Sequence, residues 1–334
     1  MSSKWLLLAI IAFTLFGIIT FILTRDSYPL VTVEPGKIYK VGIVSFGGAH
    51  TEAVVGLEEG LGELGYKAGE NIIYRIVDAA GSEEKVREAG KMFLSERVNA
   101  VYSVSTPVTK NILEVVKDTP IVFNVVSDPV GAGFAKSMAR PGSHLTGCSN
   151  FVGQTGPKRL EILRVILPKA KKILVLYDPQ NRFSQDAIVI LRDAAVTLEF
   201  SLSEVHIKSS EDVIKIMKGL KKGQYDAFFH LGEAKVSSAV KEITKIANEI
   251  KLPTVAHEES FVKNGMLAAF GPSWRDLGRQ CAKILEKVLK GVSPSQIPIE
   301  IPERFNLTMN LKTAKNLGVD LPKDLLIRVD KFIE

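Results

Sequence analysis

The stretch SVSTPVTKNILEVVKDTPIVFNVVSD, residues 103–128, decides the fold. It leaves a short β-rich run through the polar turn Ser105-Thr106-Pro107, carries helical spacing from about Val108 to Val116, and restarts after Pro120 in the apolar run IVFNVV. Strand, helix and strand in that order make a parallel unit. Residues 230–260, HLGEAKVSSAVKEITKIANEIKLPTVAHEES, repeat it: a strand, a polar turn, a lysine-bearing helix, then a proline that opens the next strand.

The alternation extends in both directions. The first half has strands in IYKVGIVSF, IIYRIVD, AVYSVS and PIVFNVV, with helices at about 51–64, 82–96 and 108–116. After LTGCSNF and a helix near 158–166, the second half has strands in KKILVLYD, SLSEVHI, DAFFHL, PTVAH and MLAAF, with helices at about 184–197, 210–220 and 236–250. Two doubly wound α/β lobes of parallel sheet are the simplest reading, the first at 38–150 and the second at 151–272.

A chain of 334 residues, 46% hydrophobic and 24% charged, has room for two such cores. The net charge of +6 is spread along helices with no basic block, which argues against a nucleic-acid partner. Cys148 and Cys281 match no metal spacing and read as small buried hydrophobes. Residues 5–23, WLLLAIIAFTLFGIITFIL, are uncharged and would span about 28 Å as a helix, enough to cross a bilayer. The run is followed by no small-x-small cleavage site, so it reads as an uncleaved membrane anchor (residues 1–26), with a cleaved signal as the alternative. Lys4 precedes the span while Arg25 is offset by Asp26, which places the body outside the cytoplasm. Residues 27–37, with Pro29 and Pro35, read as a tether.

In doubly wound sheets, ligands sit beyond the carboxyl ends of the strands. The loops there are rich in Ser, Thr, Asp, Glu and Gly: SFGGAHT (45–51), SVSTP (103–107), VSDPVGAG (126–133), YDPQNRFS (177–184), HLGEAK (230–235), AHEESF (256–261) and FGPSW (270–274). Two lobes presenting them to each other would make a cleft that can close. GAGFAK after Val130 lacks the third glycine of a dinucleotide fingerprint and the Gly-Lys-Ser/Thr of a phosphate loop. Asp128 reads as cleft-facing or as a helix cap, with Gly131 and Gly133 allowing a tight start to a following helix.

From about Tyr39 to Leu326 the chain resembles the periplasmic substrate-binding proteins of ABC transporters, in the type I group and its tryptophan/tyrosine or sugar branch. The resemblance rests jointly on VGIVSF, GLGELGY, STP, IVFNVVSDPVGAGFAKSMARPGSHLTG, LPKAKKILVLYDP, VKNGMLAAFG, LGRQ and LTMNLKTAKNLGVDLP. It implies a bilobed clamp crossed three times by the chain. The helix near 275–289 would return to the first lobe, which would then take in about 273–292, and the second lobe would take in about 303–334. It also implies an ABC permease as partner, a small solute and no cofactor.

An amino-acid solute suits the loops. Its carboxylate would meet backbone N–H groups and the hydroxyls of Ser45, Ser105 and Thr106, and its ammonium one of Asp128, Glu233 and Glu258. Phe46, Phe183, Phe270 and Trp274 stand near the mouth as walls or as core. Asn181, Ser184, His257 and Pro272 complete the candidate set, while YDPQNRFS, LGEAK and FGPSW depart from the family's usual turns. No catalytic motif appears, and His257 beside Glu258 is the best acid–base pair. The alternatives are a membrane-anchored sensor built on the same clamp and an α/β enzyme acting on a small solute.

Overall fold

The computed structural model describes residues 36–334. The expected membrane span and nearly all of the expected tether lie outside the described residues. Among those residues, no helix is long and apolar enough to cross a membrane.

The first sheet is built from β1 (Tyr39–Ser45), α1 (Thr51–Glu63), β2 (Ile72–Asp78), α2 (Glu83–Ser95), β3 (Ala100–Val104), α3 (Thr106–Val115), β4 (Ile121–Val126) and β5 (Leu145–Ser149). Its strands are parallel, in the order β2-β1-β3-β4-β5. Every residue of β3, β4 and β5 is buried, which explains their unbroken apolar runs.

The second sheet begins after α4 (Gly156–Ile166) with β6 (Lys172–Tyr177), α5 (Arg182–Thr197), β7 (Ser201–His206), α6 (Ser210–Gly219) and β8 (Ala227–Phe229). It continues with α7 (Ala234–Ser238), α8 (Val240–Glu249), β9 (Thr254–Ala256), α9 (Glu259–Lys263) and β10 (Ala268–Gly271). Reading β6 as first strand, the order β7-β6-β8-β9-β10 repeats that of the first sheet. Each lobe therefore reverses strand order between its first and third strands, and a crevice opens there at the carboxyl ends.

The chain then passes back through α10 (Trp274–Leu289), β11 (Asn306–Asn310), α11 (Leu311–Leu317), α12 (Lys323–Leu326) and β12 (Lys331–Ile333). Helix α10 joins the first core, where its Leu277, Cys281 and Leu285 pack with Leu57 and Leu61 of α1. The two helix backbones come close because glycine lines the contact. A Cβ on Gly56 would sit 1.9 Å from the Arg275 carbonyl oxygen, and one on Gly278 would sit 2.2 Å from that of Ala53. Strand β11 pairs antiparallel with β10 and parallel with β12, extending the second sheet.

The chain passes between the two sheets three times: after β5, between β10 and α10, and before β11. The third run is tied to the end of β5, where the first begins, by Ser149 N–H to the Glu300 carbonyl (2.9 Å) and Glu300 N–H to that of Gly147 (3.0 Å). Gln280 of α10 braces the third, donating to the Ile301 carbonyl at 2.9 Å and accepting from Glu303 N–H at 3.2 Å. Both cysteines are free and buried.

Two expectations are corrected. The helix expected at 236–250 is broken at Ala239 into α7 and α8; Ser237 and Ser238 donate their hydroxyls back to the Glu233 and Ala234 carbonyls, which competes with the helical ladder. No helix follows Asp128. Residues 128–134 form a closed turn instead, with Ala132 N–H on the Asp128 carbonyl (2.9 Å) and Phe134 N–H on that of Pro129 (2.9 Å).

Candidate functional site

In the first lobe the polar groups gather where β1, β3 and β4 end. Ser105 caps α3 with φ 93° and ψ 156°, a backbone region that is nearly glycine's alone. Its N–H reaches the Asn124 carbonyl (2.8 Å), and its own carbonyl accepts from the Thr109 N–H and hydroxyl (3.0 and 2.9 Å). The backbone is thus pinned on both sides, yet the Ser105 hydroxyl is buried with no partner among the described residues. Thr106, half-buried, begins α3 beside it. A buried hydroxyl at the positive end of a helix dipole suits a carboxylate.

The neighbouring candidates are less free. The Ser45 hydroxyl accepts from Gly47 N–H (3.2 Å) in its own turn. Phe46 packs on the core beneath β1 and β3. The Asp128 carboxylate accepts from Gly131 N–H at 2.8 Å, so it closes the turn after β4, and the helix-cap alternative is excluded because no helix follows.

In the second lobe Asn181, Ser184 and Glu233 form one network. The buried Glu233 carboxylate accepts the Asn181 amide (2.9 Å), the Ser184 hydroxyl and the Lys235 N–H (3.3 Å), locking the loops after β6 and β8 together. Beside it Asp178 and Lys235 pair across the same two loops. Phe183 and Phe270 are partly buried and pack against the core of this lobe, Phe270 stacking on Phe305 at 5.8 Å.

His230 and His257, from adjacent strands, lie with ring centroids 5.0 Å apart, and each touches Phe261. His230 Nδ1 accepts from Gly232 N–H (3.0 Å) and Nε2 meets the Ser237 hydroxyl (3.2 Å). Burial, with the Arg159 charge behind it, holds His230 down to about 3. Burial likewise drives His257 well below the usual range, followed by the charges of His230 and Arg159, and its Nδ1 has no partner. Both rings are neutral at physiological pH.

Glu258 follows His257 and is buried, which raises its pKa; the Ser260 hydroxyl and the Trp274 indole act in the opposite direction. Trp274 belongs to the first core, so this pair links the lobes. The indole N–H faces the carboxylate without closing a hydrogen bond to it. Pro272 lines a different concavity of about 360 Å³ with Gly60, Glu63, Arg279 and Pro302. A further hollow of about 410 Å³ around His144 and Ser293 opens where β4 and β5 begin, the end opposite the candidate loops.

The structure therefore brings together Asn181, Ser184 and Glu233, and sets His257 beside Glu258. Reading the sequence missed Arg159 and the partnership of His230 with His257. The signal for the histidines was that each directly follows one of two successive strands of one parallel sheet. Arg159 gave none, since it stands in a helix beside the exposed charges of Lys158 and Glu161 and looks like one of them.

Two doubly wound lobes, joined by three crossings and carrying unpartnered buried polar groups on their strand-end loops, define a two-lobed solute-binding protein. The chain belongs to a family described as ABC transporter substrate binding protein, which its residues 40–333 match. It is 30% identical over 268 residues to a tyrosine-binding protein of Clostridioides difficile, covering 80% of this chain and 77% of that one. A conserved domain protein of Vibrio cholerae superposes with a TM-score of 0.79 at 27% identity, over 89% of this chain and 100% of that one. The ligand-free, open structure of a substrate-binding protein with adhesive properties from Clostridium difficile gives a TM-score of 0.72 at 29% identity, over 89% and 99%.

Proposed function

We propose that this protein is the extracytoplasmic solute-binding component of an ABC importer, held to the membrane by residues 5–23, and that its lobes close on an aromatic amino acid, tyrosine foremost. The carrying observation is Ser105: a buried, unpartnered hydroxyl on a glycine-like backbone at the start of α3. The solute's carboxylate would take that hydroxyl and the first N–H groups of α3. Its ammonium would lie against Glu258, whose buried carboxyl gains a counter-charge, and its ring against Trp274 and His257. The tyrosine-binding relative supports the solute, and the ligand-free, open form solved for a Clostridium difficile substrate-binding protein supports a moving clamp. A binding role also fits His230 better than catalysis does, since a base held at about 3 is a poor proton acceptor at neutral pH, and burial lowers His257 in the same direction.

A thermal-shift titration of the full-length protein with L-tyrosine, L-tryptophan, L-phenylalanine and a sugar panel tests this. Tyrosine at a hundred times its dissociation constant should add about 2.7 kcal/mol to the folded state. A shift with sugars and none with aromatic amino acids would overturn the solute assignment.

A further inference from the structure

We infer that Arg159 is a positioning residue that fixes, as one body, the exit of the first inter-lobe crossing and the loop after β8, whose His230 packs on the solute-facing His257. The inference rests on reading the strand-end loops as binding loops.

Arg159 lies in the first turns of α4, and its large charged side chain is fully buried. Among the described residues it makes no ion pair. Its guanidinium instead donates to three backbone carbonyls: Nη1 to His230 (2.5 Å), and Nη2 to Val152 (3.1 Å) and Leu231 (3.4 Å). The Phe229 ring lies 4.8 Å away, and Nε is buried without a partner. Burial lowers its pKa to about 9, so the side chain stays cationic at neutral pH. A buried cation with no counter-ion among the described residues is a poor way to fill a core, so its use lies in what it ties together.

The tied segments are distinctive. Asn150 N–H is bound to the Val126 carbonyl of the first lobe (3.1 Å), whereas the Val152 carbonyl is held by Arg159 and by the Thr155 hydroxyl (2.9 Å) of the second. The crossing changes lobes at Phe151, whose φ is 55°. On the other side, Gly232 has φ 111°, and a Cβ there would stand 2.6 Å from Val152 Cγ1. The loop carrying His230 and Glu233 thus rests directly on the crossing's exit, with the guanidinium underneath both. Only a planar fork of donors spans the two segments, and a lysine ammonium is a single point charge.

Hydrogen exchange of the full-length protein without solute, wild type against Arg159→Lys, tests the assignment. The amides of 150–156 and 230–237 should both exchange at least tenfold faster, with β1, β6 and α10 unchanged. Acceleration in one segment only, in neither, or evenly across the second lobe would overturn it. Should Arg159→Lys fail to fold, Arg159→Gln, which keeps two N–H donors, is read by the same criteria. The variant should also bind L-tyrosine about tenfold more weakly. Absence of tyrosine binding by the wild type would count against the functional reading alone, because the exchange comparison needs no solute.

Discussion

Ser105 is strained in the free protein: a non-glycine residue held in its backbone region costs about 1–3 kcal/mol. Ser105→Gly should therefore raise stability by about 1 kcal/mol in urea titrations while weakening tyrosine binding about tenfold by calorimetry. Ser105→Ala should weaken binding similarly with little change in stability, because no hydrogen bond of the free protein is lost. A second residue-scale prediction concerns His230. Its folded pKa of about 3 lies below the unfolded 6.5, so the unfolded chain binds more protons between those values. The stabilisation is complete above pH 6.5 and is lost as pH falls, at about 1.4 kcal/mol per pH unit for this group. His257 acts in the same sense, while Glu258, raised by burial, opposes both. Melting temperature should fall from pH 7 to pH 5, less steeply in His230→Asn. At this scale the sequence was only partly legible. Ser-Thr-Pro marked a helix start with hydroxyls, but the orphaned hydroxyl depends on a dihedral angle no local pattern encodes. Arg159 was invisible because its partners are backbone carbonyls, which no side-chain pattern marks, and two of the three are more than seventy residues away.

The contact between α1 and α10 depends on glycine. Gly56→Ala would drive a Cβ into the Arg275 carbonyl, so the helices must separate, and a loss of about 1–3 kcal/mol is expected from urea unfolding. Gly62, on the open side of α1 with nothing within 4 Å, should tolerate the same change and serves as the control. Strand and helix alternation was readable because the central strands are buried on both faces and leave continuous apolar runs. Breaks in the pattern were less readable. Ser237 and Ser238 look helical by spacing, yet their hydroxyls bond back to the turn before and divide α7 from α8. The turn after β4 looks like a helix start by composition, but Asp128 spends its carboxylate on Gly131.

At the scale of the whole molecule, the repeated strand order and the three crossings supply what a clamp needs: two similar lobes, each with a switch point at the carboxyl ends of its strands. The lobes were legible as a duplicated pattern, whereas the cross-lobe pair of Glu258 and Trp274 was not, since it joins residues brought together only by the return of α10. The central claim is that these lobes close on an aromatic amino acid. Both native cysteines are buried, so spin labels can be placed selectively at Lys110→Cys on the first lobe and Gln185→Cys on the second, both exposed positions. The most direct measurement is the distance between these labels in the full-length protein, with and without saturating L-tyrosine. The account predicts a shorter and narrower distribution when tyrosine is present and no change with an unrelated sugar. An unchanged distribution at saturation would contradict it.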